Sequence, residues 1–367
     1  MKNICIVRDL GFGDSGKGTI VDFLSSQYDD CIVVKDSGGC QCAHNVINNG
    51  KHHCFHQYGS GSLNNHPTHI GKNFIFDPLS LFYEYEKLCL HKSPSLITVN
   101  PQALVTTWYH QSINLINNLY NGYSTCGFGI GATREYYIDY GLDSIFAKDL
   151  DFSRHDILLE KINILKTRIL SSFEKLMLND KQEKLVDSIY RMKPKIVMKG
   201  LVQNSNLFFL CEDFDALGSF DNIIFEGSQG VLLDEYHGFH PYTTWSTVTN
   251  YHAEEMLDDV FPDKKYNLTK IGVTRNHLTR HGNGPFFTEG DFKKKSVEHN
   301  QYNNLQGYFK YGYLDRRLLE YAIECSPIDY FAVTHLDEDI NTVVDDYDIV
   351  DTLHRLLLCN GKFYHHA

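Results

Sequence analysis

The chain has no run of about 18 apolar residues, so no stretch of it is built to cross a membrane as a helix. It is also short of positive charge. Its 34 Lys and Arg stand against 46 Asp and Glu, a formal net charge of -12. That balance argues against a general grip on nucleic-acid backbones, which needs clustered cations. A small anionic substrate stays open, because a few local cations or a helix N-terminus suffice to hold one. There is no internal repeat, low-complexity tract or long linker. The ten Cys are scattered without framework spacing, and the opening MKNICIVRDLGFGD reaches a polar, glycine-rich turn too soon for a secretory signal. Both point to the cytoplasm. At 367 residues the chain can bury one large core or two modest ones.

What is present reads as strand, glycine turn, helix. NICIVRDL is a short apolar strand, and KGTIVDFLSSQ has helical spacing at Ile20, Val21, Phe23 and Leu24. DCIVVKDSGG repeats the strand-then-glycine pattern. Further apolar strands are NIIFEGSQG (222 to 230) and DYFAVTHLDED (329 to 339), each running into polar residues. RHDILLEKINILKTRILSSFEKLMLND is helical, and 152 to 200 is the best candidate for a helical insertion. The expected fold is α/β with a mainly parallel central sheet, a phosphate-loop-like turn near the N-terminus, and residues 1 to 367 in a single domain. Ligands in such folds collect where the strands end.

The turn GFGDSGKGTI is one residue away from a common phosphate loop. Gly11, Gly16 and Lys17 fit the pattern, but Gly18 stands where Ser or Thr would hold magnesium, and Thr19 comes one place late. Backbone N–H groups at such a helix start, with Lys17, make an anion site. A lone glycine-rich turn is otherwise just a tight turn. Asp14 is the residue that discriminates, and it has three readings: a magnesium ligand, a general base, or a helix N-cap.

GFGDSGKGTIVDFL resembles the amino-terminal signature of adenylosuccinate synthetases, Trp/Phe-Gly-Asp-Glu-Gly-Lys-Gly-Lys and an apolar helix. The resemblance continues, in the family's order, through GGCQCAHNVINNGKHHCFHQYGSGSL, GKNFIFDP, TCGFGIGA, FEGSQGVLLDEYHGFHPYTT, LTRHGNGPFFTE, GYLD and FAVTHLDED, from residue 1 to about 340. It implies a magnesium-dependent ligase whose substrates are a purine nucleoside monophosphate, L-aspartate and a nucleoside triphosphate, and which works as a homodimer. It also implies roles. Asp14 takes the N1 proton of a purine lactam, O6 attacks the γ-phosphate, and the amine of aspartate displaces phosphate from the 6-phosphoryl intermediate. His44 matches the catalytic His, whose cationic or donating ring supports charge on O6 and the moving phosphoryl group. Asp14 with the backbone carbonyl of Ala43 matches the magnesium ligands. Gly13, Ser15, Gly16, Lys17, Gly18, Thr19 and Asp337 fall in triphosphate-binding segments. Asp14, Ser15, Gln41, Thr125, Cys126, Gln229 and Thr244 fall in segments that hold the purine nucleotide.

The departures from the family pattern concern specificity. Ser15 replaces a Glu beside the catalytic Asp, and Gln41 an Asn that touches the nucleotide. His335 replaces the Lys of a guanine-recognition Thr-Lys-Leu-Asp motif, and no Gly-Pro-x-Arg segment follows. Preference for GTP as donor is thereby weakened, and ATP or dATP becomes eligible. The Arg-rich aspartate loop is reduced to QGYFKYGYLD with Lys310 its only cation, leaving Arg275, Arg280 or His281 as substitutes; Arg280 matches a family position. The Arg that reaches the partner subunit has no clear counterpart, although Arg134 is nearby. This set of changes resembles a short bacteriophage branch that joins aspartate to dGMP. The other readings are the ordinary enzyme using IMP and GTP, a non-catalytic nucleotide binder, and an unrelated phosphate-loop ATPase without a Walker-B partner. A zinc site drawn from Cys40, Cys42, His44, His52, His53, Cys54 and His56 is a further alternative, but its spacing is irregular and buried cysteines explain it better.

Overall fold

The computed structural model describes residues 1–121, 125–174, 176–290, 302, 305–336, 354–359 and 362–366. The first third of the chain forms β1 (Lys2–Asp9), α1 (Lys17–Ser25), β2 (Cys31–Lys35), β3 (Gly38–Gly39), β4 (His44–Asn48), β5 (Lys51–Phe55), β6 (Thr68–Ile70), β7 (Phe74–Ile75), α2 (Pro78–Cys89), β8 (Ile97–Val99) and α3 (Trp108–Asn121). The helices α4 (Ile130–Tyr140), α5 (His155–Phe173), α6 (Asp180–Arg191) and α7 (Pro194–Val202) follow, then β9 (Phe209–Leu210), α8 (Asp213–Gly218), β10 (Asn222–Glu226) and α9 (Tyr251–Val260). The remainder adds β11 (Tyr266–Arg275), β12 (His277–Arg280), β13 (Lys310–Tyr313), α10 (Arg316–Cys325), β14 (Tyr330–Thr334), β15 (His354–Cys359) and β16 (Lys362–His366).

Ten of these strands make one sheet in the order β16-β15-β14-β11-β1-β10-β2-β6-β8-β9. Its pairs are parallel except for β15 with β16. The expected α/β fold with a mainly parallel sheet is what the chain adopts. Strand β2 is buried along its whole length, as an uninterrupted apolar run in a covered parallel sheet should be. Helix α1 turns Ile20 and Val21 onto Val7, Val33, Ile224 and Ala332. The helical stretch between 152 and 200 is α5, α6 and most of α7. Leu158, Ile162, Leu165 and Ile169 recur every three or four residues, one stripe of α5. They join Ile189, Val197 and Leu201 in the same apolar cluster as Ile70, Val99 and Tyr109, so these helices pack on the β6–β8 end of the sheet. Among the described residues no helix is long and apolar enough to cross a membrane.

One buried ion pair ties the sheet together at its centre. Arg8 of β1 reaches past β10 to Asp36, with Nη1–Oδ1 at 3.2 Å and Nη2–Oδ2 at 2.5 Å, and its Nε donates to the Thr249 carbonyl at 2.9 Å. Both side chains are excluded from water. Removing one member leaves an uncompensated buried charge, so Asp36→Ala is expected to lower unfolding free energy in a urea titration by about 3–5 kcal/mol.

Candidate active site

Strands β1, β10 and β2 are neighbours, and each ends in charge: Arg8 and Asp9, Glu226, and Lys35. All four side chains are buried, so each needs a partner there. Asp9 takes its donors from the glycine-rich loop that follows β1. Its carboxylate accepts from Gly11 N at 2.8 Å, Ser15 N at 2.9 Å and Lys17 Nζ at 3.1 Å. Glu226 accepts from Ser60 N at 2.9 Å and from the Ser60 hydroxyl, lies 3.4 Å from Lys35 Nζ, and holds His44 Nδ1 at 2.5 Å. Burial alone would raise the Glu226 pKa, but Lys35, His44 and Ser60 hold it below the usual carboxylate range.

Burial first, then Lys35, pushes the His44 ring down to about 4, against the pull of Glu226. At neutral pH the ring is therefore uncharged, with the Nδ1 proton directed at an ionised Glu226. Nε2 is then an acceptor, and it becomes a donor only when the ring gains a proton. This differs from the cationic or donating ring that the resemblance implies.

The loop is built around left-handed backbone at Gly13 (φ 97°), Asp14 (φ 61°) and Gly16 (φ 94°). Gly16 is the N-cap of α1. No side chain caps the helix, and its first turn carries no acid. Asp14 is therefore not the cap, and the N–H groups of that turn remain available to an anion. Gly18 is explained by its neighbour: a Cβ there would stand 2.7 Å from the His44 Cβ and 3.0 Å from the Ser60 Oγ. The hydroxyl of an ordinary phosphate loop is excluded by the close seating of His44 on α1.

Lys17 is buried, and its ammonium donates to Asp9 and, at 2.6 Å, to the Gln229 carbonyl. It lies under the loop rather than over it, with one of three donors left for a phosphate. Thr19 turns to the Asn45 carbonyl at 3.5 Å, away from a triphosphate role. Ser15 is buried, its carbonyl accepting from the Thr334 hydroxyl at 2.8 Å, with Thr334 packed on Gly16. The Asp14 carbonyl accepts from Arg275 Nε at 2.6 Å.

Gln229 lies beside the loop in left-handed backbone (φ 48°), close to Gly13 and Gly38. Among the described residues, its Oε1 and that of Gln41 are buried acceptors that meet no donor. The start of α4 reaches this region through Ile130, whose Cδ1 would lie 2.7 Å from a Cβ at Gly39. Thr244 precedes Trp245, whose ring packs on Gly131 of α4. Thr125 is part of that turn, but its hydroxyl is occupied: it donates to Asn114 Oδ1 at 3.1 Å and accepts from Asn118 Nδ2 at 3.0 Å. Here it anchors the turn to α3 rather than presenting a phosphate ligand. Cys126 beside it is half-buried, and burial raises its pKa.

Arg280 departs furthest from expectation. It is buried, stacked 4.4 Å from the Phe12 ring centroid, and donates to the carbonyls of Asn283, Pro285 and Tyr242 at 2.8, 3.2 and 3.3 Å. A guanidinium so committed braces its loop and is no ligand for aspartate in this arrangement. Lys310 is half-buried and pairs with Arg280 across the β12–β13 ribbon. That ribbon lies over the loop, with Leu278 near Gly11 and the Thr279 hydroxyl 3.4 Å from the Gly13 carbonyl. Asp337 lies outside the described residues.

Cys40 and Cys42 face different surroundings. Cys40 belongs to the cluster of Ile75, Leu104, Ile130 and Phe146, whereas the Cys42 thiol donates to the His56 carbonyl at 2.6 Å. Among the described residues no three His, Cys, Asp or Glu side chains gather as a metal site.

The sequence reading gave no role to Asp9, Lys35, Ser60 or Glu226, which organise this centre. A usable signal exists for three of them. Each is a charged residue ending an otherwise apolar strand, where burial demands a partner. Ser60 carries no such mark.

A sequence profile of the family described as adenylosuccinate synthetase matches residues 6–351. The adenylosuccinate synthetase of Thermoplasma volcanium is 30% identical over 346 residues, covering 90% of this chain and 75% of its own length. That of Francisella tularensis is also 30% identical, covering 94% of this chain and 80% of its own. Among solved structures, the fully ligated Plasmodium falciparum adenylosuccinate synthetase superposes with a TM-score of 0.68 at 22% identity, over 91% of this chain and 77% of that one. The cyanophage S-2L succinoaminodeoxyadenylate synthetase, bound to dGMP and to dATP as an energy donor, gives 0.67 at 15% identity, over 100% and 95%. At these identities the two structures speak to the fold.

Gly18→Ser, which restores the usual spelling of a phosphate loop, is expected to destabilise the protein by about 1–3 kcal/mol through overpacking against His44. Urea melting measures it. A neutral or stabilising effect would mean that His44 is not seated on α1.

Proposed function

We propose that this chain, which belongs to the adenylosuccinate synthetase family and is thus a C–N bond-forming ligase, joins L-aspartate to C6 of dGMP at the expense of ATP or dATP. The product is 2-amino-2'-deoxyadenylosuccinate. The observation that supports the reading is the seating of His44, itself held by Glu226, against Gly18, because a group able to exchange a proton then stands beside the glycine-rich loop.

In this reading Asp14 removes the N1 proton of guanine, and O6 attacks the γ-phosphorus as the bond to the leaving diphosphate breaks. The aspartate amine then adds at C6 and expels phosphate, losing its proton. The open N–H groups of α1 and the ammonium of Lys17 take the phosphate charge. Magnesium suits the donors present. Asp14 and the Ala43 carbonyl are hard oxygen ligands, and magnesium needs only one or two protein oxygens besides substrate phosphates. When bound there it would neutralise charge between the phosphates.

What supports guanine over hypoxanthine in this reading is a pair of unmet acceptors. Once Asp14 has taken the N1 proton, guanine still offers two N–H groups at its 2-amino substituent, where hypoxanthine offers none. The unpartnered Oε1 atoms of Gln41 and Gln229 are acceptors suited to such donors. Ser15, in place of the family's Glu, is shorter and uncharged and so leaves space in a buried position. The cyanophage enzyme that shares the fold carries dGMP and dATP. The ordinary reaction with IMP and GTP is the second reading, favoured by relatives at 30% identity. A cytoplasmic homodimer suits either.

The test crosses dGMP and IMP with ATP and GTP in the presence of L-aspartate and magnesium, and follows the succinylated nucleotide. Product from dGMP with ATP is expected; product from IMP with GTP alone would replace dGMP by the ordinary substrate. Asp14→Asn should lower kcat by about 10²–10⁴-fold as loss of a general base. Ser15→Gln, matching Glu in length without its charge, should shift preference from dGMP toward IMP, read as a ratio of kcat/KM values.

A further inference from the structure

We infer that Glu84 is a positioning residue for this ligase, clasping the backbone of residues 56–58 and so holding the hairpin that carries His44. The inference rests on the reading of His44 as the residue that meets the transferred group.

Glu84 lies in α2, on the far side of the hairpin from the loop, and is buried. Its Oε1 accepts from His56 N at 2.8 Å and Tyr58 N at 3.2 Å, and its Oε2 from Gln57 N at 2.8 Å. Three successive backbone donors thus end on one carboxylate. The clasped segment follows β5 directly. Phe55, the last residue of β5, pairs with His44 across the hairpin, and the Cys42 thiol closes the base of the hairpin on the His56 carbonyl. Two residues past the clasp, Ser60 gives its N–H and hydroxyl to Glu226, which holds His44 Nδ1. Glu84 therefore reaches His44 by two routes, through the ladder and through Glu226.

The attachment of this segment to α2 does not depend on Glu84. Gln57 fastens it separately, donating from Nε2 to the Asp77 carbonyl at 2.9 Å and to Ser80 Oγ at 3.0 Å, and accepting from Asp77 N at 2.8 Å. Loss of the carboxylate should loosen the backbone without detaching it. The groups facing Glu84 are the His56, Gln57 and Tyr58 N–H donors, Lys35 of β2, and Cys42, Cys54 and the Tyr58 hydroxyl, which its charge disfavours ionising. Burial pushes the carboxyl up to about 7, against those N–H groups and Lys35.

This gives the clasp opposite signs in stability and in turnover. A carboxyl raised from its ordinary 4.5 contributes stability that is complete below pH 4.5 and lost as pH rises through about 7. The clasp is complete only in the ionised form, in which both oxygens accept, so turnover should rise over the upper part of that range. A group with only a structural role would move both in the same direction.

The test compares wild type with Glu84→Gln and Glu84→Ala by steady-state kinetics across pH and by hydrogen exchange of peptides covering 56–60. Both variants should lose kcat by about 10–100-fold, the scale of a slight misplacement of a catalytic group, with KM for the nucleoside triphosphate held within about twofold. Exchange should quicken at 56–60, and the acid limb of kcat near pH 7 should disappear in Glu84→Gln. If Glu84→Ala does not fold, Glu84→Gln decides, since it keeps one acceptor oxygen. Wild-type kcat in Glu84→Gln, an unaltered acid limb, or faster exchange spread over the whole chain would overturn the inference. His44→Ala with undiminished kcat would instead overturn the reading of His44, whatever Glu84 does.

Discussion

Glu226 carries a charge that no water reaches, and the candidate site is assembled from the groups that make this tolerable. An isolated carboxylate in such a place costs several kcal/mol, so it needs donors from its surroundings. Compensation comes from three separate elements: the Lys35 ammonium, an ion-pair partner at the end of β2, and the donors Ser60 after the β4–β5 hairpin and His44 at the start of β4. Satisfying one carboxylate thereby gathers a strand end, a hairpin and a turn at one point beside the phosphate loop. Such a cluster is weak evidence for net stability, since apolar side chains of the same volume could serve as well. Its value lies in orientation: the imidazole is held in one direction, with Nδ1 on Glu226.

The glycine-rich loop shows the same division between charge and space. Asp9 draws Gly11 N, Ser15 N and Lys17 inward, which fixes the loop's curvature before any phosphate arrives. The ammonium of Lys17 therefore acts from beneath. Asp14, with its carbonyl held by Arg275, is not used to end the helix, and a carboxylate in a phosphate cradle is then no contradiction. It faces a base in the proposed reaction, while the uncapped N–H groups of α1 face the phosphates.

The central strands and the turn into α1 were legible because their signals are local. Continuous apolar runs mark β2 and β10, and the turn between β1 and α1 needs only its own residues. Roles that depend on distant partners were not. Arg280 has the chemistry of a carboxylate ligand, but its donors end on carbonyls at 242, 283 and 285, which no spacing reveals. Thr125 is a phosphate-binding hydroxyl by resemblance, yet Asn114 and Asn118 claim it from a helix. Glu226 was visible as a charge ending an apolar strand. Its importance follows only from the order β1-β10-β2, which sets it between Asp9 and Lys35.

The neutral state of His44 bears on how the proposed reaction is timed. With Lys35 nearby and water excluded, a second positive charge on Glu226 is unfavourable until negative charge arrives. In the proposed reaction a bound triphosphate would bring that charge to the face of the ring away from Glu226, and raise the affinity of Nε2 for a proton. Protonated, the imidazole can donate to the moving phosphoryl group while Nδ1 keeps its bond to Glu226. Unprotonated, it offers that group only a lone pair. The site would thus gain its strongest donor when the phosphate charge is in place, and Glu226 would carry the extra proton's positive charge without moving. This is electrostatic preorganisation in which the substrate completes the charge balance.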